Sequence, residues 1–463
     1  MFSLKIIYDY KIRECEIVDV KKVNIWDIPI IKEDDIWEYN DLFSKVIADN
    51  KSSMEYLISP TLSRNEGVTL FYDKVCRFIY CLEYVKKAKW NIVFRNLDYT
   101  VAKALIKQLS DKKLKIQYNA YGLILFNISS YVKFIINTAL TISTKFIYLI
   151  ACRFFINRQK NLVYDYGFYT FYDQRSYKNG SHREEYFDPL LKLLIKKKKE
   201  FIVFNYPLDG GRIPLFLKYL LQISNTPGDR GYVNTVFYRF LDPRDIFASL
   251  YLGIFKRPKV NQKIVFKDYD ISFLVNLSLR RDFYSLVWFN TYLTYLFAKK
   301  IFKLFSIRKI FYCYENHPWE KALVLARNEV SSLSKLIAFQ HASFSYKLLQ
   351  QFPTEFEKGI PCLPDKILTA GKILKNILEK RGCFPPGLIQ EGCALRHLYL
   401  FEGIKVSILE EKYRAKSKKI VYAFSVDFKN YETILENLAK IFNDKMYTVY
   451  LKFHPDILSQ IGF

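Results

Sequence analysis

Lys309-Ile-Phe-Tyr-Cys-Tyr-Glu-Asn-His-Pro-Trp-Glu320 opens the stretch around which the chain is organised. The stretch continues through Lys335-Leu-Ile-Ala-Phe-Gln-His-Ala-Ser-Phe344 and Pro364-Asp-Lys-Ile-Leu-Thr-Ala-Gly371. Residues 309–314, 336–339 and 366–369 form three short apolar runs of strand length, the first rich in aromatics. Between the first two, Asn316 suits a helix N-cap, and Pro318 suits a first helical turn, where its missing N–H has no partner to lose. Trp319, Leu323, Ala326 and Val330 then recur at helical spacing. Strand, helix, strand is the pattern of a parallel α/β unit.

The polar residues of this stretch follow the strands. Glu315, Asn316 and His317 come after the first, Gln340 and His341 after the second, and Gly371 after the third. In an open parallel sheet, ligands bind in the crevice beyond the carboxyl ends of the strands. The pattern therefore predicts a cleft lined by Glu315, Asn316, His317, Trp319, Glu320, Gln340, His341 and Gly371. The competing reading is that Asn316 and Glu320 only cap a helix and that His341 is a loop histidine satisfied by its neighbours.

At 463 residues the chain is long enough for two or three domains, on a prior of about 150 residues each. Half its residues are hydrophobic, so a sizeable core is available and global disorder is excluded. The net charge is +25, from 71 Lys+Arg against 46 Asp+Glu, and it favours anionic partners. An A/T-rich codon bias would also enrich Lys, Ile, Tyr and Phe. No basic helix or basic stripe interleaved with aromatics stands out, so nucleic acid is not the expected partner. The eight cysteines are scattered without a C-x-x-C pair, which fits free thiols in a reducing compartment. No secretory signal opens the chain.

Towards the N-terminus, residues 4–8, 90–94 and 115–118 read as strands, and 68–85 and 99–109 as helices. Residues 14–65 give no clear pattern. Residues 121–156 are the most apolar part, but Lys133, Lys145 and Arg153 interrupt them, and no uncharged run reaches 18 residues. A bilayer span needs about 20 consecutive apolar residues, so a span is not expected. Two readings stay open for 121–158: a pair of helices in the membrane interface, or a hydrophobic hairpin against the domain. The cations near both ends favour the interface. Residues 162–166 and 201–204 read as strands, and 190–199, 245–255 and 272–305 as helical. Gly210-Gly211 is a weak phosphate-loop signal without fingerprint spacing. Residues 381–418 carry Gly, Pro and basic punctuation and read as a linker. Then 419–424, 431–442 and 447–453 read as strand, helix and strand, ending in His454-Pro455.

Tyr-Glu-Asn-x-Pro-Trp-Glu, then Phe-Gln-His, then Pro-Asp-x5-Gly, a linker, and a strand ending Lys-x-His-Pro form an ordered series over about 309–455. This series resembles the GT-B-type glycosyltransferases of bacterial surface carbohydrate (O-antigen and capsule) biosynthesis, and more distantly the CDP-glycerol glycerophosphotransferases. The resemblance implies an α/β, GT-B-like fold. Residues 1–380 would form a Rossmann-like acceptor-side domain with the apolar insertion at 121–158, and 419–463 the start of a donor-binding domain. It implies transfer of a sugar from a nucleotide-activated donor to a lipid-linked or polysaccharide acceptor, with the nucleotide sugar as co-substrate and no bound metal. His341 or Glu315 would be the general base, while His454 and Lys452 would lie against the donor phosphates. It also implies a cytoplasmic protein, peripheral at the inner face of the membrane. In the family the second domain continues past the His-Pro strand. The expectation is thus a truncated chain, active once the remaining half is supplied; the alternative is a non-catalytic membrane-surface module of the same pathway.

Overall fold

A computed structural model describes residues 15–19, 31–32, 34–50, 54–64, 69–87, 91–95, 98–110, 120–156, 162–172, 177–178, 181–182, 184–207, 213–224, 232–330, 332–341, 348–400, 418–423, 431–442 and 447–452. The chain divides into two compact units, Met1–Arg396 and His397–Phe463. The described strands are β1 Cys15–Asp19, β2 Asn91–Arg95, β3 Val163–Tyr172, β4 Tyr177–Lys178, β5 Ser181–His182, β6 Phe201–Pro207, β7 Tyr232–Val236, β8 Val265–Phe266, β9 Tyr269–Asp270, β10 Ser306–Cys313, β11 Lys335–Phe339, β12 Lys366–Thr369, β13 Ile389–Glu391, β14 Lys418–Ala423 and β15 Tyr447–Lys452. The described α-helices are α1 Asp35–Ala48, α2 Met54–Ile58, α3 Phe71–Lys87, α4 Tyr99–Ser110, α5 Ala120–Phe155, α6 Asp188–Lys196, α7 Ile213–Ser224, α8 Pro243–Phe255, α9 Ser272–Asp282, α10 Val287–Leu304, α11 Pro318–Glu329, α12 Lys372–Arg381 and α13 Tyr431–Ile441.

The first unit is a Rossmann-like α/β fold around a seven-stranded sheet in the order β13-β12-β11-β10-β3-β6-β7. Every pairing in that sheet is parallel. From β3 the chain steps outward through β6 to β7, then returns to β10 on the other side of β3 and steps outward through β11 to β13. This reversal makes a switch point between β3 and β10, the place where an open parallel sheet leaves a crevice.

Both faces of the sheet are covered, and alternation along the strands decides which side chain goes where. Phe168, Phe201, Val203, Cys313 and Phe339 point to one face, where Phe187, Leu191 and Leu194 around α6 meet them. Tyr169, Ile202, Phe204, Ile310, Tyr312, Leu336 and Ala338 point to the other, onto Phe297, Ala298 and Ile301 of α10 and Leu323 and Val324 of α11. Central strands buried on both faces read as nearly continuous apolar runs. That explains why β6 and β10 were legible and why β3, interrupted by Gly167, was seen only at its start.

A second core lies beside the sheet. Helices α1, α3, α4 and α9, with the 349–362 segment, share it. The parallel pair β1–β2 belongs to this N-terminal region. A buried ion pair ties this layer to the segment that follows β11. Arg64, fully buried, donates from Nη2 to both Glu357 oxygens at 2.9 and 2.8 Å. Ser44 Oγ donates to the same carboxylate at 3.0 Å, and Asn40 Nδ2 donates to the Phe352 carbonyl at 3.0 Å.

Several expectations change. Residues 121–156 are neither a helix pair nor a hairpin: α5 is one helix of 36 residues. The stretch read as helical over 272–305 breaks at Phe283–Ser285, and Leu286 takes a left-handed φ of 56° before α10 begins. The stretch read as the start of a linker contains β13, the sheet's edge strand, and the boundary between units falls after Arg396. Three residues are too few to show a period, so the glycines and prolines around β13 dominated its reading. Strand β7, with two buried residues in five, gave no apolar run and was missed. Residues 4–8 and 115–118, expected as strands, and Gly210-Gly211 lie outside the described residues. In the second unit, β14 and β15 pair in parallel around α13.

Replacing Arg64 by Met leaves Glu357 buried without its cation. Removing one partner of a buried pair costs about 3–5 kcal/mol. Urea denaturation is expected to show a loss of that size for Arg64→Met. Part of it should return in Arg64→Met/Glu357→Gln.

Candidate active site

The site is built where β10 ends. Asn316 adopts a left-handed backbone, φ 55°, a conformation that Asn tolerates better than most residues. The turn presents three successive amides to one carboxylate. Glu320 accepts from the N–H of Glu315 at 3.0 and 3.2 Å, of Asn316 at 2.9 Å and of His317 at 3.0 Å. Glu320 is 2% exposed, and burial pushes its carboxyl up to about 8 against the pull of His317 and of the backbone donors. Asn316, also buried, donates from Nδ2 to the Gln350 carbonyl. The N-cap of α11 is His317 rather than Asn316, because the left-handed turn consumes one residue first.

With that backbone held, Glu315 and His317 meet: His317 Nε2 lies 2.6 Å from Glu315 Oε2. The third member comes from the neighbouring strand. Gln340, buried after β11, donates from its backbone N–H to the Leu368 carbonyl at 2.8 Å and accepts from Ala370 N–H at 3.2 Å. His341 follows, with Nε2 3.5 Å from Glu315 Oε1 and its ring edge-on to Tyr186 at 4.9 Å. Burial alone would raise the Glu315 carboxyl. The hydrogen bond from His317 and the charges of His317, His341 and Arg396 outweigh it, so the carboxyl sits below its ordinary range. Burial likewise works to lower His317, but its bond to Glu315 and the charges of Glu320 and Glu315 carry the imidazole above its ordinary value.

These groups face a cavity of about 360 Å³, within the range of small-molecule sites. Its apolar walls are Tyr169 and Phe171 from β3, Tyr206 from β6, Tyr186 and Trp319. Trp319 stacks on Tyr169 at 5.2 Å and meets Phe171 edge-on at 5.3 Å. Asn290, Thr291 and Thr294, on successive turns of α10, line the cavity as well. Arg396 adds a cation: Nη2 is 3.4 Å from Glu185 Oε1, and its guanidinium stands 5.4 Å from the Tyr186 ring centre. Among the described residues, no group of three His, Cys, Asp or Glu side chains could hold a metal ion.

Of the residues expected in the cleft, Glu315, His317, Trp319 and His341 line the cavity together. Asn316, Glu320 and Gln340 do not line it; they are buried and hold the two turns that carry the others. Gly371, with φ 142°, is the N-cap of α12, and its carbonyl accepts from Thr369 Oγ1 at 3.0 Å. It too is not in the lining. Lys452 is the last residue of β15 in the second unit, and His454 lies outside the described residues. The aromatic wall and the α10 side chains were not foreseen. Tyr169 and Phe171, two apart at the carboxyl end of a central strand, were the readable signal; Asn290, Thr291 and Thr294 had none.

Comparison with protein-family models, with curated proteins and with solved structures found no match to this chain.

Three carboxyls are pushed up by desolvation: half-buried Asp282 to about 6, and buried Glu184 and Glu320 to about 7 and about 8. Unfolded, they titrate near 4. Between those limits the folded chain binds more protons than the unfolded one, so stability falls as pH rises from about 4 to about 8. The raised His317 acts in the same direction. The depressed Glu315 loses its contribution only as pH falls below the ordinary carboxylate range. The melting temperature is therefore expected to be higher near pH 5.5 than near pH 8.5. Glu320→Gln should lower the melting temperature and flatten this slope, since it removes a titrating group along with acceptors for the turn. A slope unchanged by that substitution would contradict the assignment.

Proposed function

We propose that the chain is a GT-B-like glycosyltransferase of bacterial surface polysaccharide biosynthesis, moving a sugar from a nucleotide-activated donor to a hydroxyl held in the aromatic cavity. One observation carries the reading: an ionised carboxylate stands between two imidazoles, beside an aromatic-walled cavity at the switch point of a parallel sheet. The ordered series from Tyr314 to Pro455 supplies the transferase class and the pathway.

The residues divide the work. Glu315 is held below the ordinary carboxylate range, which makes it a weak proton acceptor. A general base works best with a pKa near the operating pH, so the imidazole of His341 takes the acceptor proton. Glu315 orients the two imidazoles and stabilises positive charge on them. The acceptor oxygen attacks the anomeric carbon as its O–H bond breaks. The bond from that carbon to the diphosphate oxygen breaks, and the nucleoside diphosphate leaves with the electron pair. Aromatic faces such as those of Trp319 and Tyr186 suit the apolar faces of a sugar ring, and Asn290, Thr291 and Thr294 suit its hydroxyls. Lys452 and His454 are the donor-phosphate candidates on the sequence resemblance alone.

Two assays test the proposal. In a thermal-shift series with UDP, CMP, CDP, GDP and dTDP, one nucleotide should raise the melting temperature, since a ligand bound only to the folded state stabilises it. In a transfer assay with the matching nucleotide sugar, His341→Ala should lower kcat by about 100- to 10,000-fold, the usual worth of a general base. Glu315→Gln should also lower kcat; His341→Ala should melt as the wild type does, and Glu315→Gln should stay folded with a lower melting temperature, since the stabilising charge of Glu315 is gone. Full activity in both would end the assignment. No nucleotide shift and no transfer would favour a non-catalytic interaction module instead.

A further inference from the structure

We propose that the outer face of α5, together with α8, is a docking surface for an anionic lipid bilayer, with α5 lying in the plane of the membrane. By length and composition Ile128–Phe155 is apolar enough to cross a membrane, but its packing sets another geometry. Phe134 packs on Phe283 with ring centres 4.6 Å apart, and Tyr148 stacks on Phe216 at 3.7 Å. Leu149 and Cys152 continue the buried face. These contacts run over about 27 Å of helix, at 1.5 Å per residue. A helix held along its side for that length lies against its domain. It could cross hydrocarbon only by carrying the domain's surface in with it.

The opposite face is apolar and open. Only 22% of an apolar 18-residue window of this stretch is buried inside the domain. Val132, Ile136, Leu140, Ile150 and Phe154 are 48, 52, 61, 55 and 82% exposed. Helix α8 extends the surface, because Phe146 of α5 touches Phe247 of α8 at 5.6 Å. Phe247, Tyr251 and Phe255, one turn apart in sequence, are 57, 60 and 68% exposed. Isolated exposed apolar residues need no explanation, but a contiguous patch across two helices does.

Charge decides the occupant. The 53 residues from 112 to 164 contain eight Lys and Arg and neither Asp nor Glu. Exposed Arg244 precedes Phe247 by one turn, and exposed Lys256 and Arg257 follow Phe255 directly. Lys133 is exposed on α5. An apolar face edged by cations is the pattern of a helix seated in an anionic interface. A second copy of the same face would bring these cations against their own kind, which argues against self-association.

The test is co-sedimentation of the full chain with phosphatidylcholine vesicles and with phosphatidylcholine–phosphatidylglycerol vesicles. The assay uses neither donor nor acceptor, so its outcome is independent of the transferase reading. The wild type should partition at least about tenfold better onto the anionic vesicles. Part of that binding should survive at about 1 M salt, where screening shortens to about 3 Å and only apolar insertion remains. Ile136→Asp/Phe255→Asp should lose at least about tenfold in partitioning with an unchanged melting temperature. The proposal is overturned if neither vesicle binds the chain. It is overturned equally if the double variant binds as well as wild type, since net charge alone would then explain adhesion. A dimer in light scattering that the double variant breaks into monomers would assign the face to a second copy.

Discussion

The candidate site depends on one carboxylate. Glu320, in the first turn of α11, gathers the N–H groups of Glu315, Asn316 and His317. A left-handed Asn316 between a central strand and a helix would otherwise leave buried donors without acceptors, at about 1–3 kcal/mol each. Because Glu320 fixes the backbone on both sides of Asn316, the side chains at 315 and 317 converge into a 2.6 Å contact. Gln340 does the equivalent for the next strand by joining β11 to the end of β12, and so sets His341 beside them.

Much of this was legible because parallel α/β units write their order plainly. Apolar runs of strand length alternated with helical spacing between residues 309 and 371, and polar residues fell after each run. The same pattern did not distinguish groups that face the cavity from groups that support it. Glu315 and Glu320 are both acidic and both follow β10. Only the three amides pointing at Glu320 make it a clamp, and that depends on the φ of Asn316, which no residue spacing encodes. Longer-range partners were equally unreadable. Tyr206 reaches the cavity because β6 pairs beside β3, Thr294 because α10 packs on the same face of the sheet, and Arg64 finds Glu357 across 293 positions.

The apolar segment shows a different limit. Its composition was plain, but helix against hairpin turns on whether the chain bends, and the three interrupting cations spoke only against a bilayer span. In the folded chain Lys145 stands over the Tyr238 ring at 5.1 Å, and Arg153 pairs with Asp242 at 2.9 Å. Both cations are thus accommodated along one unbroken helix. The first unit consequently presents two distinct features: a polar, histidine-bearing cavity at the switch point and an apolar helical face edged by positive charge.

The central claim is that Glu315 holds two imidazoles in one electrostatic unit. It is tested most directly by NMR titration of the histidine rings, which is tractable in a chain with five histidines. The account predicts that His317 titrates above a free imidazole in the wild type and falls back in Glu315→Gln, with the His341 resonance shifting in the same variant. Histidines that titrate as free imidazoles in both proteins would contradict it.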